Sequence, residues 1–506
     1  MIYRPAEKFL WDTWVFVHPE TNLVHLFYLV REDLRQPCRW IQHAVSQDWI
    51  DWQMLEEIPA SDFGFPAMGT GMIFKTRGEY YLTVTGAGSA GQSIWLFRAR
   101  NGRDLRGWQP VKTAAIISPD ERWYETNGMP LAVMTAHCRD AFILEKDGAF
   151  HALVTMRVRS GPQGGRGCVG QAISSDLCQW ELRPPLFHPG SFYQAEVPDY
   201  FEWNCWHYLL FNDASWFQRH DTPTRDSCSG TFYALSDRFA GPYRIPEEAL
   251  LLGAGSLRFD GYVARQVQWG EQRLLYFHHA RPRPAFGLPK QLCQAKNGEL
   301  FGSAWEEGIR ALRAGLSLLT GELRPFRMGP VSAGDWTRNA AREEISAECL
   351  NGGQHALWPD LIRDLEMSAT IQLAAGWRAG LVVRFDPEQK TGLLVSVDRR
   401  RGQVCLERIS EPSLHHPFCR TEPLDTARWP VRAVVRLRVV VRSEYVDVYL
   451  EDRWVFSAGL EPASPGSGQV GLFVSDGRAI FREIQTFVLA PLVEARLLSP
   501  SDGELG

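Results

Sequence analysis

The sequence predicts an all-β protein, a five-bladed β-propeller followed by a C-terminal β-sandwich, and three observations carry that expectation. From the N-terminus to about residue 300, short runs rich in Val, Ile, Phe, Tyr and Trp alternate with Gly, Asp, Asn and Pro clusters: VHLFYLV, GMIFKTRGEYYLTVTG, FILEKDGAFHALVTMRV, CWHYLLFND and QRLLYFHHA. Such alternation reads as strands joined in hairpins and meanders. A weak internal repeat with a spacing of roughly 55 to 70 residues fits a four-stranded propeller blade. Beyond residue 340, LEMSATIQL, AGLVVRF, GLLVSVDRRRGQVCLERI, AVVRLRVVV, EYVDVYLEDRWVFSAGL, GQVGLFVSD and AIFREIQTFV describe the alternating strands of a sandwich.

Taken in order, AVSQDWIDW ends at Trp52, RARNGRDLRGW at Trp108, AISSDLCQW at Trp180 and ALSDRFAGPY at Tyr243. Each copy is a strand, a Ser- or Asn-to-Asp turn, then an aromatic that can close the unit. A fifth unit fits residues 255–305, where SLRFDGYVARQVQWGEQRLLYFHHA holds two strands and a turn. The segment EEGIRALRAGLSLLTGELRPF has less β character and carries the chain out of the first domain. The expected organisation is a catalytic propeller over 1–305, a linker over 306–339 and a sandwich over 340–495, the last read as an accessory module.

Composition removes several classes. Fifty-four Lys and Arg against 59 Asp and Glu leave a net charge of −5, the wrong electrostatic footprint for holding a phosphate backbone, so nucleic acid is not an expected partner. No window reaches the roughly 18 uninterrupted apolar residues of a membrane span, and MIYRPAEKFLWDTW lacks the pattern of a secretory leader. The expectation is a cytoplasmic protein without a membrane partner. The ten cysteines are scattered with no CxxC, which reads as reduced, mostly buried thiols rather than a disulfide framework or a zinc site. Neither metal nor cofactor is expected, and oligomeric state is not legible.

Three acidic residues stand out by context. Asp12 lies between two tryptophans in FLWDTWVF, where burial is costly unless the carboxylate is bonded or functional. Asp140 follows Arg139 at the start of a strand in CRDAFIL, and Glu196 precedes Pro198 in YQAEVPDYFEW. First strands of successive blades line one channel, so these groups can converge. Glycoside hydrolysis needs two carboxyl groups facing one bond, one ionised and one protonated, and a third can bind flanking hydroxyls. The excess of aromatic residues suits either a core or a sugar-binding cleft.

WDTW at 11–14, RD at 139–140 and EVPD at 196–199 resemble, in this order, the three acidic motifs of the fructan-active glycoside hydrolase families 32 and 68. WDTW is nearer the levansucrase version, and EVPDYF is similar to the EC-P-D motif of invertases and inulinases. QHAVSQDWIDW, GTGMIF at 69–74, RFDGYVA and LPKQLCQAKNGEL resemble further family 32 segments, so the likeness covers nearly the whole chain. It implies a retaining β-fructofuranosidase acting on sucrose or fructo-oligosaccharides, with Asp12 as nucleophile, Glu196 as general acid/base and Asp140 as transition-state stabiliser. It further implies that Trp11, Trp14, Gln42, Thr70, Arg139 and Tyr262 bind a small carbohydrate substrate, with His43 an alternative to Gln42. The family's W-M-N-D-P-N-G is absent, RDA stands for R-D-P and EVP for E-C-P. Fructosyl transfer, an arabinofuranosidase-like activity and a non-catalytic sugar-binding propeller are the alternatives.

Overall fold

The structure is a computed structural model that describes residues 3–89, 91–127, 129, 136–213, 230–253, 261–316, 319, 321–326, 335–410, 420–460 and 466–492. The chain divides into two compact units, one chiefly of residues 2–253 and 261–300 and the other chiefly of residues 301–492. Among the described residues no helix is long and apolar enough to cross a membrane.

The first unit has a propeller arrangement. Four antiparallel sheets of four strands follow one another along the chain. They are β1 (Phe9–Val17) to β4 (Gln53–Pro59) through β2 (Val24–Arg31) and β3 (Trp40–Ser46), then β5 (Ala67–Thr76), β6 (Glu79–Gly88), β7 (Gly91–Asn101) and β8 (Arg106–Pro110). Next come β9 (Arg139–Lys146), β10 (Ala149–Arg157), β11 (Gly167–Ser174) and β12 (Glu181–Phe187), then β13 (Glu196–Trp203), β14 (Trp206–Asp213), β15 (Gly230–Ser236) and β16 (Leu250–Gly253). Beyond them β17 (Gly261–Trp269) pairs with β18 (Gln272–His279), which pairs in turn with Lys290–Gln294. The first strands touch in a ring, β1 to β5, β5 to β9, β9 to β13, β13 to β17 and β17 back to β1.

The sequence repeat corresponds to the outer turn of each blade. Between β3 and β4, Ser46 Oγ accepts the Trp49 amide at 2.8 Å, Asp48 accepts the Ile50 and Asp51 amides at 2.9 Å, and the Trp52 indole donates to the Trp49 carbonyl at 2.8 Å. Ser174, Asp176 and Trp180 repeat these bonds between β11 and β12 at 2.8–2.9 Å. Short polar side chains replace the missing backbone ladder at the turn, and the indole closes it. Apolar faces of adjacent sheets then pack on each other: Leu29 and Ile41 meet Ile73 and Leu82, Ile94 and Leu96 meet Ile143 and Val154, and Leu153 and Val169 meet Leu209 and Phe211. At roughly 25 cal/mol per Å² of apolar surface, burial between blades is the main stabilising term.

His43 belongs to this packing. It stacks on Phe27 at 4.0 Å and shares a 2.9 Å hydrogen bond with His25, and burial holds His25 down at about 2 and His43 at about 3. Both are neutral structural imidazoles.

In the second unit, alternation of period two places Val435, Leu437, Val439 and Val441 with Val446, Val448 and Leu450 in one core. The stretch read as a linker holds a helical turn, Glu306–Ala311, and strands Arg313–Leu316, Arg324–Phe326 and Asp335–Asn339. Each of these strands pairs antiparallel within the large C-terminal sheet. None of the described cysteines is in a disulfide, and Cys38, Cys138, Cys168, Cys349 and Cys405 are buried; Cys228 and Cys419 lie outside the described residues.

Candidate active site

Each of the three carboxylates sits at a β-bulge near the start of a first strand. The β1–β2 register shifts between Leu10 and Thr13, the β9–β10 register between Leu153 and Thr155, and the β13–β14 register between Glu196 and Asp199. A bulge breaks the in–out alternation and re-aims a side chain. Asp140 at φ 59° and Val197 at φ 46° lie in the left-handed region, a sparsely populated conformation that must be held by its surroundings. Threonine hydroxyls from the preceding blade hold it. Thr85 Oγ1 on β6 accepts the Asp140 amide at 2.9 Å, and Thr155 Oγ1 on β10 accepts the Val197 amide at 3.0 Å. Thr231 Oγ1 on β15 accepts the Ala264 amide at 2.9 Å, beside a third such bulge at Tyr262 and Val263 on β17.

Side chains converge at these bulges. Arg139 donates to Glu196 Oε1 at 2.6 Å and to Gln194 Oε1 at 3.0 Å, and its Nε lies 3.3 Å from Asp140 Oδ2. That Asp140 oxygen also accepts the Thr155 hydroxyl at 3.0 Å. Tyr262 donates to the other Glu196 oxygen, and Thr70, on the β5 bulge, donates to Asp12 Oδ2. Asp12 Oδ1 is buried and accepts no hydrogen bond.

Charge follows from this geometry. Burial pushes the Asp12 carboxyl up to about 7; the nearby Asp140 charge adds to the rise, the Thr70 hydroxyl opposes it, and Glu196 adds again. Burial likewise raises Asp140 to about 6 against the pull of the Arg139 cation. Tyr262 is held well above its ordinary range by burial and by Glu196. Asp12 and Asp140 are thus both held above the ordinary carboxylate range in a dry setting, as at sites of proton-transfer chemistry.

Of the residues expected at the site, Asp12, Thr70, Arg139, Asp140, Glu196 and Tyr262 form one connected cluster. Trp11 lies beside it, its ring 5.2 Å from that of His278 and 4.2 Å from the Arg31 guanidinium. Two expectations need correction. Trp14 is only 1% exposed and stacked on Phe27 in the core between the first two sheets, because the ladder resumes its alternation after the bulge. Gln42, on the third strand, donates to Glu57 at 2.8 Å and joins no group of the cluster. Thr85, Thr155 and Gln194 were not legible, since a threonine on a β-rich run signals only strand propensity. A groove of about 1110 Å³ lies along outer turns and is lined by Trp52, Arg103 and Arg106 but by none of the cluster.

Thr155→Val tests the interlock. It keeps the shape but leaves the Val197 amide and Asp140 short of a partner, so stability should fall by about 1–3 kcal/mol in denaturant unfolding; a loss below about 0.5 kcal/mol would show that the hydroxyl does not hold the bulge.

The sequence model for the glycosyl hydrolases family 32 N-terminal domain matches residues 4–246, a span that contains Asp12, Asp140 and Glu196. A search of curated proteins finds no match. Among solved structures, the sucrose-6-phosphate hydrolase of Lactobacillus gasseri is similar with a TM-score of 0.67 at 15% identity, covering 97% of this chain and 93% of that one. Fructan 1-exohydrolase IIa of Cichorium intybus gives 0.66 at 15% identity over 97% of both chains. A β-fructofuranosidase of Bombyx mori gives 0.62 at 16% identity over 97% and 94%. At such identities the structures speak for the fold, and the match to the N-terminal domain speaks for the lineage: residues 4–246 carry a glycoside hydrolase family 32 N-terminal domain, and the chain is a glycoside hydrolase.

Proposed function

We propose that the protein is a retaining hydrolase of β-fructofuranosides with a small carbohydrate substrate. In this reading Asp12 is the nucleophile, Glu196 the general acid/base, and Asp140 with Arg139 holds fructosyl hydroxyls. The observation that carries it is one guanidinium, Arg139, joined to both Asp140 and Glu196, with Asp12 coupled to the same two carboxylates. The same reading makes β17, β18 and Lys290–Gln294 the fifth blade that closes the ring, and makes the C-terminal sheet a sandwich. The fructosidase and fructan hydrolase titles of the similar structures support the substrate class.

In the first step an ionised Asp12 oxygen bonds to the anomeric carbon while the glycosidic C–O bond breaks and Glu196 gives its proton to the leaving oxygen. Arg139 and Tyr262, one on each Glu196 oxygen, then face the carboxylate so formed and stabilise its new charge. In the second step Glu196 takes a proton from water, the water oxygen bonds to the anomeric carbon, and Asp12 leaves as a carboxylate. Thr70 fixes the Asp12 carboxylate through Oδ2 and leaves Oδ1 as the attacking oxygen.

The test is turnover of sucrose, inulin- and levan-type oligosaccharides and an arabinofuranoside by the wild type, with products resolved chromatographically and Glu196→Gln run alongside. Release of fructose, lowered about 10²–10⁴-fold by Glu196→Gln, is the expected result. Cleavage of the arabinofuranoside alone, or none at all, would reject the reading.

A further inference from the structure

We propose that Arg265 is a positioning residue that sets the spacing between the Asp12 side and the Glu196 side of the site by bridging the ring of first strands. The idea rests on the fructosidase reading for its catalytic consequence, though the bridge itself does not.

Arg265 lies on β17, three residues after Tyr262, and is 5% exposed. Its Nη1 donates to the Gly71 carbonyl on β5 at 3.0 Å. In the ring, β1 stands between β17 and β5 and touches both, so this bond is a chord that bypasses a neighbour. The same cation acts on the buried Asp199 of β13, whose Oδ2 accepts the Gln266 amide at 2.8 Å. One side chain therefore joins two first strands by a direct bond and acts by its charge on a third, and what those strands carry gives the link its meaning. Gly71 directly follows Thr70, the partner of Asp12. Asp199 shares its strand with Glu196, and Arg265 shares its own with Tyr262, which binds Glu196.

Residue choice agrees. A Cβ at Gly71 would lie 2.2 Å from the Thr83 carbonyl oxygen, so only glycine fits this bulge. Arginine supplies a long reach and several donors set in one plane, which a lysine ammonium does not reproduce. A buried cation is costly to keep and stabilises little by itself; Arg265 touches none of the three carboxylates, yet every element it joins presents a residue that does. A retaining pair works only within a narrow separation, and a misplacement of about 1 Å can lower the rate about 10²-fold.

The experiment uses the full chain as Arg265→Met, Arg265→Lys and Asp199→Asn, with kcat, KM, unfolding and amide exchange measured on each. In folded Arg265→Met, kcat should fall about 10- to 100-fold while KM stays within about threefold, and Arg265→Lys should recover part of the loss. Exchange should quicken in β5 around Gly71 and in β13 around Asp199, but not in β10 and β11. Wild-type kcat in a folded Arg265→Met, or a general rise in exchange, overturns the proposal. Should Arg265→Met not fold, Arg265→Lys and Asp199→Asn carry the same comparison, and unchanged kcat in both overturns it. If the wild type cleaves no furanoside, the functional reading fails on its own account; the exchange pattern then decides whether the bridge exists.

Discussion

Asp12→Asn is expected to lower kcat at least about 10⁴-fold and, at the same time, to make the protein more stable at pH 8. The first effect follows from loss of the attacking oxygen. The second follows from the raised carboxyl: its ordinary value of 3.8 in the unfolded chain becomes about 7 in the fold, so the folded state binds the proton more tightly. Stability from this group is therefore fully present below about pH 4, is lost as pH rises toward 7, and stays lost above. Three units correspond to about 4 kcal/mol at most, shared among acids that titrate together. Asparagine keeps the shape and still accepts the Thr70 hydroxyl without the charge. Urea unfolding of both proteins at pH 8 and pH 4.5 reads it directly: the variant should be the more stable at pH 8, with the gap closing at pH 4.5. A gap that does not change with pH would show that the buried charge is not its source.

The next largest effect is a steep loss of stability in acid. Burial holds His25 at about 2, His43 at about 3 and His278 at about 3, and it holds His137 and His279 well below 6.5. Here the unfolded chain binds protons that the folded one refuses, so each group removes about 1.4 kcal/mol per pH unit below about 6.5. Asp12 and Asp140 work in the opposite sense between about pH 4 and 6, because their folded values are raised. Lowered imidazoles, His355 at about 4 among them, outnumber raised carboxyls, so stability falls overall as the pH drops below about 6.5. Asp12→Asn removes one opposing group, so its acid limb should be the steeper. Thermal unfolding from pH 7 to 5 checks this, and a flat profile over that range would contradict it.

These effects show where sequence reading reaches and where it stops. The Ser-x-Asp…Trp repeat was legible because a turn needs particular side chains at fixed offsets. The carboxylates were legible because an acid inside a tryptophan- or proline-marked run is chemically out of place. The phase of β1 was not: WDTW reads as an aspartate flanked by two sugar-facing tryptophans, yet the bulge sends Trp14 into the core with Phe27. Nothing in single-sequence propensity marks Asp140 and Val197 as left-handed. Arg265 was hidden for a related reason, since an arginine on an amphipathic strand ordinarily faces water and only the closed ring turns it inward. Gln42 was misplaced because its strand is third from the ring's centre, where Glu57 is the nearer partner.

The threonine interlock also bears on how the molecule assembles. Residues 12, 70, 140, 196 and 262 meet only when strands distant in the chain have docked, and the bulges of β9, β13 and β17 are each held by a threonine hydroxyl that belongs to the blade before it. These three blades therefore cannot preform their share of the chemistry, and contacts of such long sequence separation form late. A refolding chain should bury its tryptophans before it recovers any capacity for catalysis, because Asp140, Glu196 and Tyr262 each depend on the preceding blade for the conformation they contribute to the centre.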